Sequence, residues 1–205
     1  MIRALVAAVL FATLSFTSTA RAATLQTAVF AGGCFWGVEA VFEHVKGVKS
    51  VVSGYVGGTV VNPDYETVSS GRTGHAEAVK VTFDPAVVSY ETLLAVFFTV
   101  AHNPTELNRQ GPDVGTQYRS AIFFTNADQQ KSATTVISQI TQAKVFSRPI
   151  VTQVAALPKF YVAESYHQNY LYSHTDQPYI MYNDLPKIDA LKKQYPALWE
   201  KTQGK

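Results

Sequence analysis

Cys34 is the only cysteine in this chain of 205 residues, and it stands in the run "AGGCFWG", residues 31–37. Two glycines precede the thiol and two large aromatics follow it. An unpaired cysteine has three readings: an intermolecular disulfide, a reactive thiol, or a small buried hydrophobe. The neighbours favour the second. "TAVFAGG" reads as a short buried strand, and from Cys34 onward Val38, Val41, Phe42 and Val45 recur at helical spacing. The thiol therefore lies where a strand hands over to a helix, facing unpaired amide hydrogens and the positive end of the helix dipole. Both lower a thiol pKa from its free value of about 8.5, which predicts an accessible, ionised sulfur nucleophile. Phe35 and Trp36, in the first helical turn, are the right size to wall a small apolar pocket, suited to a methyl or thioether rather than to a sugar or phosphate.

The elements that must hold this thiol follow in alternation. "VKSVVSGYVGG" reads as a strand, "HAEAVKVTF" as a second, and Ser89 caps a helix through "YETLLAVFFTVAH" that Pro104 closes. "SAIFFT" is a further strand, Asn126 caps a long helix to about Lys144, and "PIVTQVAAL" is a final strand. Pro158 is expected to open a helix over "KFYVAESYHQNYLYSH", and a last amphipathic segment spans residues 188–199. The order β-α-β-β-α-β predicts an α+β fold, a two-layer ferredoxin-like plait with a split βαβ core, extra helices and long active-site loops. The loops, residues 57–75 and 103–118, are where function is expected to concentrate.

The first residues stand apart. Arg3, an apolar Ala-rich run and an A-x-A site at Ala20, Arg21 and Ala22 read as a cleaved secretory signal peptide over residues 1–22. Residues 23–205 are then a single catalytic domain, exported, with a bacterial periplasm as the expected compartment and no membrane anchor after cleavage. Losing Arg3 and Arg21 takes the 17 Lys and Arg to 15, equal to the 15 Asp and Glu. A net charge near zero argues against nucleic acid as a partner. One cysteine and five histidines show no metal-ligand spacing, and "GGCFWG" lacks a dinucleotide-binding glycine pattern.

"GCFWG" (Gly33 to Gly37), "NPDYETVSSGRTGHAEAV" (Asn62 to Val79), "HNPTELNRQGPDVGTQYRSAI" (His102 to Ile122) and "AESYHQNYL" (Ala163 to Leu171) resemble, in order, the blocks of the A-type peptide methionine sulfoxide reductases. That resemblance implies reduction of methionine S-sulfoxide, free or in oxidised proteins, with repair as the outcome. It assigns Cys34 as the nucleophile that becomes a sulfenic acid. Glu77 becomes the acid, Tyr65 and Tyr118 the phenolic donors, Phe35 and Trp36 the methyl-binding residues, and Asp113 an orienting residue behind the site. A carboxyl in an apolar pocket stays protonated and able to donate. Taken alone, Glu77 could face solvent or pair with Lys80, and the two tyrosines could be ordinary surface residues.

Many members of that family recycle through further cysteines near the C-terminus; this tail has none. The resemblance then implies no bound cofactor and an external thiol reductant: a thioredoxin-like protein, glutaredoxin, glutathione or another thiol, acting on a monomer. Asn103 and Ser165 replace acids common in the family. The rival chemistry is an exported cysteine hydrolase or transpeptidase, with Cys34 paired to His75 or His167. It leaves the aromatic pair and the acid unexplained. A lipid anchor at Cys34 is disfavoured because the hydrophobic run ends well upstream.

Overall fold

The computed structural model describes residues 24–202, so the expected signal peptide lies outside the described residues. In chain order the elements are β1 (Gln26–Gly32), α1 (Phe35–Glu43), β2 (Val48–Val56), α2 (Tyr65–Ser69), β3 (Ala76–Phe83) and α3 (Tyr90–Val96). Then come β4 (Arg109–Gln110), β5 (Asp113–Val114), β6 (Ser120–Phe124), α4 (Ala127–Gln142), β7 (Gln153–Ala156), β8 (Tyr161–Val162), α5 (Tyr170–Ser173) and α6 (Leu185–Gln194). The main sheet has the order β7-β6-β1-β3-β2-β8. Its four central strands pair antiparallel, so β1 and β2 run the same way with β3 between them. This is the split βαβ plait that the alternation predicts. β7 extends it in parallel beside β6, and β8 closes the other edge antiparallel to β2.

The helices lie on one face. Phe30, Tyr55, Val79, Val81, Phe83 and Ile122 from the sheet share a core with Phe35, Val38, Val41 and Phe42 of α1 and with Leu93 and Leu94 of α3. Phe30 stacks between Phe42 and Phe97 at 5.1 and 4.9 Å. Burying one such ring is worth about 1.5–3 kcal/mol. The opposite face carries mainly small residues, Ala31, Ala76, Ala78 and Ala121, because the strap containing Leu157 and Phe160 crosses close to it.

Local signals held where they satisfy backbone groups. Ser89 accepts the Thr92 amide at 3.1 Å, and Asn126 accepts that of Gln129 at 2.9 Å. The helix expected after Pro158 does not form. Tyr161 and Val162 instead pair with Tyr55 and Gly54, a 3-10 turn covers Ser165–His167, and only Tyr170–Ser173 is helical. The reason is tertiary. Gln168 bonds both the amide and the carbonyl of Ser53, and Glu164 takes the Tyr55 hydroxyl, so these side chains serve β2 rather than a helix face. The two long loops are not structureless either: one holds α2, the other the β4–β5 ribbon and a 3-10 turn at Thr116–Tyr118.

Candidate active site

The site is built on the junction between β1 and α1. Gly33 turns the chain at φ +95°, and a Cβ there would stand 2.6 Å from the Gln110 side chain, so a side chain at this position meets both strain and a neighbour. Cys34 is the N-cap of α1, with no side-chain capping bond of its own. The orphan amides of the first turn are taken otherwise. Phe35 donates its N–H to Glu77 Oε2 at 3.0 Å, and the Trp36 N–H faces the Cys34 sulfur. The Cys34 thiol and the Glu77 carboxyl thus share one helix N-terminus.

Glu77 comes from β3, where it pairs across the ladder with Tyr55 on the same face as Val79, Val81 and Phe83. It is 1% exposed, which rules out a solvent-facing role. Lys80 sits over the Phe160 ring, so pairing with Lys80 fails too. Burial pushes the Glu77 pKa up to about 8, with the Asp113 and Asp184 carboxylates adding to it and the Phe35 amide opposing. At neutral pH this carboxyl is mostly protonated, as an acid must be.

The thiol departs from expectation. Cys34 is only 8% exposed, and burial raises its pKa well above the ordinary thiol value, reinforced by Glu77 and then Asp184. The Trp36 amide and Lys187 act the other way and do not win. The expectation of an ionised, open sulfur is corrected: desolvation of a thiolate outweighs what one helix terminus supplies. The resting site holds a neutral thiol beside a mostly neutral carboxyl.

Phe35 and Trp36 divide the roles assigned to them jointly. Phe35 is 1% exposed and packs its ring against Tyr55 and His167. Trp36 is half-buried, stacked on Tyr170 at 3.8 Å with Tyr179 edge-on at 6.0 Å, and its indole N–H donates to His167 Nδ1 at 3.1 Å. Tyr65 opens α2 behind the capping box of Asp64 and Thr67, with its amide on Glu164 Oε1 at 2.8 Å. Tyr118 ends the 3-10 turn that follows Gly115. Both phenols are raised in pKa, by burial first and Glu77 second, and both also feel Cys34. They are therefore proton donors at any physiological pH, grouped with the thiol and the acid. Asp113, on β5, accepts the Tyr179 hydroxyl at 2.5 Å.

Several residues of this site carried no local signal. Tyr179, Asp184 and Lys187 belong to the segment before and within α6, more than 140 positions from Cys34. His167, the rival base, has its Nδ1 occupied by the Trp36 indole N–H, and burial lowers its pKa. His75 spends both ring nitrogens on backbone, the Gly58 amide and the Val60 carbonyl. Neither imidazole bonds the thiol, so the hydrolase pairing has no geometric support.

Comparison with known proteins agrees with the geometry. A family model described as peptide methionine sulfoxide reductase matches residues 26–199. A peptide methionine sulfoxide reductase MsrA 2 of Mesorhizobium japonicum is 56% identical over 174 residues, covering 85% of this chain and 89% of that one. The MsrA of Deinococcus radiodurans is 53% identical over 173 residues, with 84% of each chain covered. Among solved structures, Mxr1 of Saccharomyces cerevisiae in reduced form superposes with a TM-score of 0.68 at 30% identity, over 75% of this chain and 87% of that one. Methionine sulfoxide reductase A of Corynebacterium diphtheriae gives 0.66 at 33%, over 74% and 76%.

Proposed function

The chain belongs to the peptide methionine sulfoxide reductase family, and from that membership we propose that it reduces methionine S-sulfoxide, free or within oxidised proteins, with Cys34 as nucleophile. The observation that carries this is the shared helix start: sulfur at the N-cap, and a largely protonated Glu77 from β3 accepting the amide of the next residue, Phe35. A sulfoxide oxygen is a poor leaving group until it is protonated. Glu77 gives its proton to that oxygen as the Cys34 sulfur attacks the substrate sulfur, and recovers one from the thiol. The Tyr65 and Tyr118 hydroxyls hold the oxygen as charge develops. The S–O bond breaks, methionine departs reduced by two electrons, and Cys34 keeps the hydroxyl as sulfenic acid, oxidised by two.

Trp36 takes the methyl group, with the buried Phe35 ring packed on Tyr55 and His167 as its floor, and Asp113 acts by holding Tyr179 beside Trp36. With Cys34 the one cysteine in the chain, the sulfenic acid is released by an external thiol. That thiol displaces water to form a mixed disulfide, and a second thiol frees Cys34. The leader-like residues 1–22 support export, with the periplasm as the site of repair. No bound cofactor is needed for any step.

The test is stoichiometric. Reduced protein is mixed with each epimer of a methionine sulfoxide amide, without added thiol, and methionine is counted while sulfenic acid is trapped. One equivalent from the S epimer alone is expected; acyl release from a peptide substrate with no methionine formed would favour the hydrolase instead.

A further inference from the structure

Gly37 lies three residues past Cys34, in the first turn of α1, and its missing side chain leaves room for something specific. A Cβ there would stand 2.0 Å from Asp184 Oδ1, 2.6 Å from its Cγ and 2.9 Å from Lys187 Nζ. The acid and the ammonium form an ion pair at 3.0 Å, pressed against the α1 backbone one helical turn from the nucleophile. Asp184 is fully buried, and its Oδ2 has no hydrogen-bond partner. Lys187 is 18% exposed at its side chain. Replacing a buried ion pair by apolar residues is often neutral or stabilising, so stability alone explains this arrangement poorly.

The pair faces a crowded acidic site. Glu77 from β3, Asp113 from β5 and Asp184 itself all oppose negative charge here, and the Tyr65, Tyr118 and Tyr179 phenols line the same space. His102, against the base of β1, is held neutral by burial. Lys187 is the cation that acts on Cys34, and it also acts on Asp113. The reaction needs the Cys34 proton to leave in a pocket that resists the resulting charge.

We propose that Asp184 and Lys187 are a positioning pair for the reaction, in which the Lys187 ammonium is the counter-charge to the Cys34 thiolate and Asp184 pins that ammonium against Gly37. The inference rests on Cys34 being the nucleophile. It assigns the charge balance of the site to the segment from Tyr179 into α6, rather than to the helix start alone. The two members act on the sulfur with opposite sign. Asp184 by itself disfavours thiolate, more strongly than Lys187 favours it in the resting protein, so the ammonium offsets part of a charge penalty to which its own partner contributes.

Because Cys34 is the one thiol, its alkylation by iodoacetamide reports on it without ambiguity. The pH dependence of alkylation and the single-turnover reduction of a methionine S-sulfoxide amide are measured for the parent protein and for Lys187→Met, Lys187→Gln, Lys187→Arg and Asp184→Asn. Lys187→Met and Lys187→Gln are expected to move the alkylation midpoint to higher pH by about one unit, with single-turnover rates at neutral pH down about tenfold. Lys187→Arg should restore most of both. Asp184→Asn keeps an Oδ1 to accept from the Lys187 ammonium while removing the opposing charge, so it should move the midpoint the other way, to lower pH. Removing a purely structural pair would shift both classes of variant in one direction, or shift neither while lowering thermal stability alike; either result overturns the proposal. If Lys187→Met does not fold, the Gln, Arg and Asp184→Asn variants still give the sign. Failure of the parent protein to reduce the sulfoxide would instead remove the reading of Cys34 as nucleophile, and opposite alkylation shifts would then still be visible.

Discussion

The backbone amide of Phe35 donates to Glu77 Oε2 at 3.0 Å, so the proposed acid of the site also caps the helix that begins at the proposed nucleophile. One hydrogen bond therefore sets the distance between two groups that arrive from different strands. It also ties the position of the acid to the integrity of the first turn of α1.

Cys34→Ser is expected to abolish turnover, since a hydroxyl cannot be oxidised to an analogue of the sulfenic acid. The measurement is methionine formed in a single turnover. Because Cys34 is buried yet makes no capping bond, the variant should fold and melt close to the parent protein.

Glu77→Gln keeps an acceptor for the Phe35 amide and removes the proton. The single-turnover rate should fall by about 10²–10⁴, with substrate affinity changed much less. A rate within twofold of the parent would show that Glu77 is not the acid.

The same group sets a pH limit. With its folded pKa raised to about 8, Glu77 is a donor below that pH, and the single-turnover rate should decline as pH rises through it. Stability follows the same sign. A carboxyl whose folded pKa exceeds the unfolded value favours the folded state fully only below the unfolded pKa of about 4.3, and this contribution is lost as pH rises to the folded pKa. Glu77→Gln should flatten that slope and raise stability near pH 8 by several kcal/mol, on the order of 4. Thermal melts of both proteins at pH 5 and pH 8 check it.

Gly37→Ala places a methyl where Asp184 Oδ1 now sits, 2.0 Å away. Neither the α1 backbone nor a fully buried carboxylate can yield easily, so a loss of about 1–3 kcal/mol is expected in chemical denaturation.

Without added thiol, the protein should stop after one equivalent of methionine. Glutathione supplied to that oxidised protein should add once per chain, at Cys34, before a second thiol regenerates activity. Mass spectrometry of the trapped species distinguishes this from attack by the Cys34 thiol of a second copy, which would give a disulfide-linked pair of chains rather than a glutathione adduct.

Elements were legible from sequence where the chain satisfies itself locally. The caps at Ser89 and Asn126, the apolar stripe of α1 and the alternation of β3 each depend on neighbours within a few residues, and each formed as expected. The segment from Pro158 to His174 departs from its expected helix for the converse reason. Its helical composition is real, but Glu164 and Gln168 find stronger partners on Tyr55, Tyr65 and Ser53, about 100 positions or more away. Family resemblance located Cys34, Glu77, Tyr65, Tyr118, Phe35, Trp36 and Asp113, and the structure brings their elements to one place; it could not say which aromatic is core.

By itself, the order of periodicities and turn residues determined the split βαβ plait, and the helix start placed one sulfur beside unpaired amides, because both follow from short-range backbone geometry. Only the tertiary structure decided the protonation of the site. The ionisation of Cys34 and Glu77 depends on how much water the folded chain excludes and on which distant charges, Asp113, Asp184 and Lys187, it carries to them. Coulomb and desolvation energies depend on separation in space and on local dielectric, and neither is written in the distance along the chain.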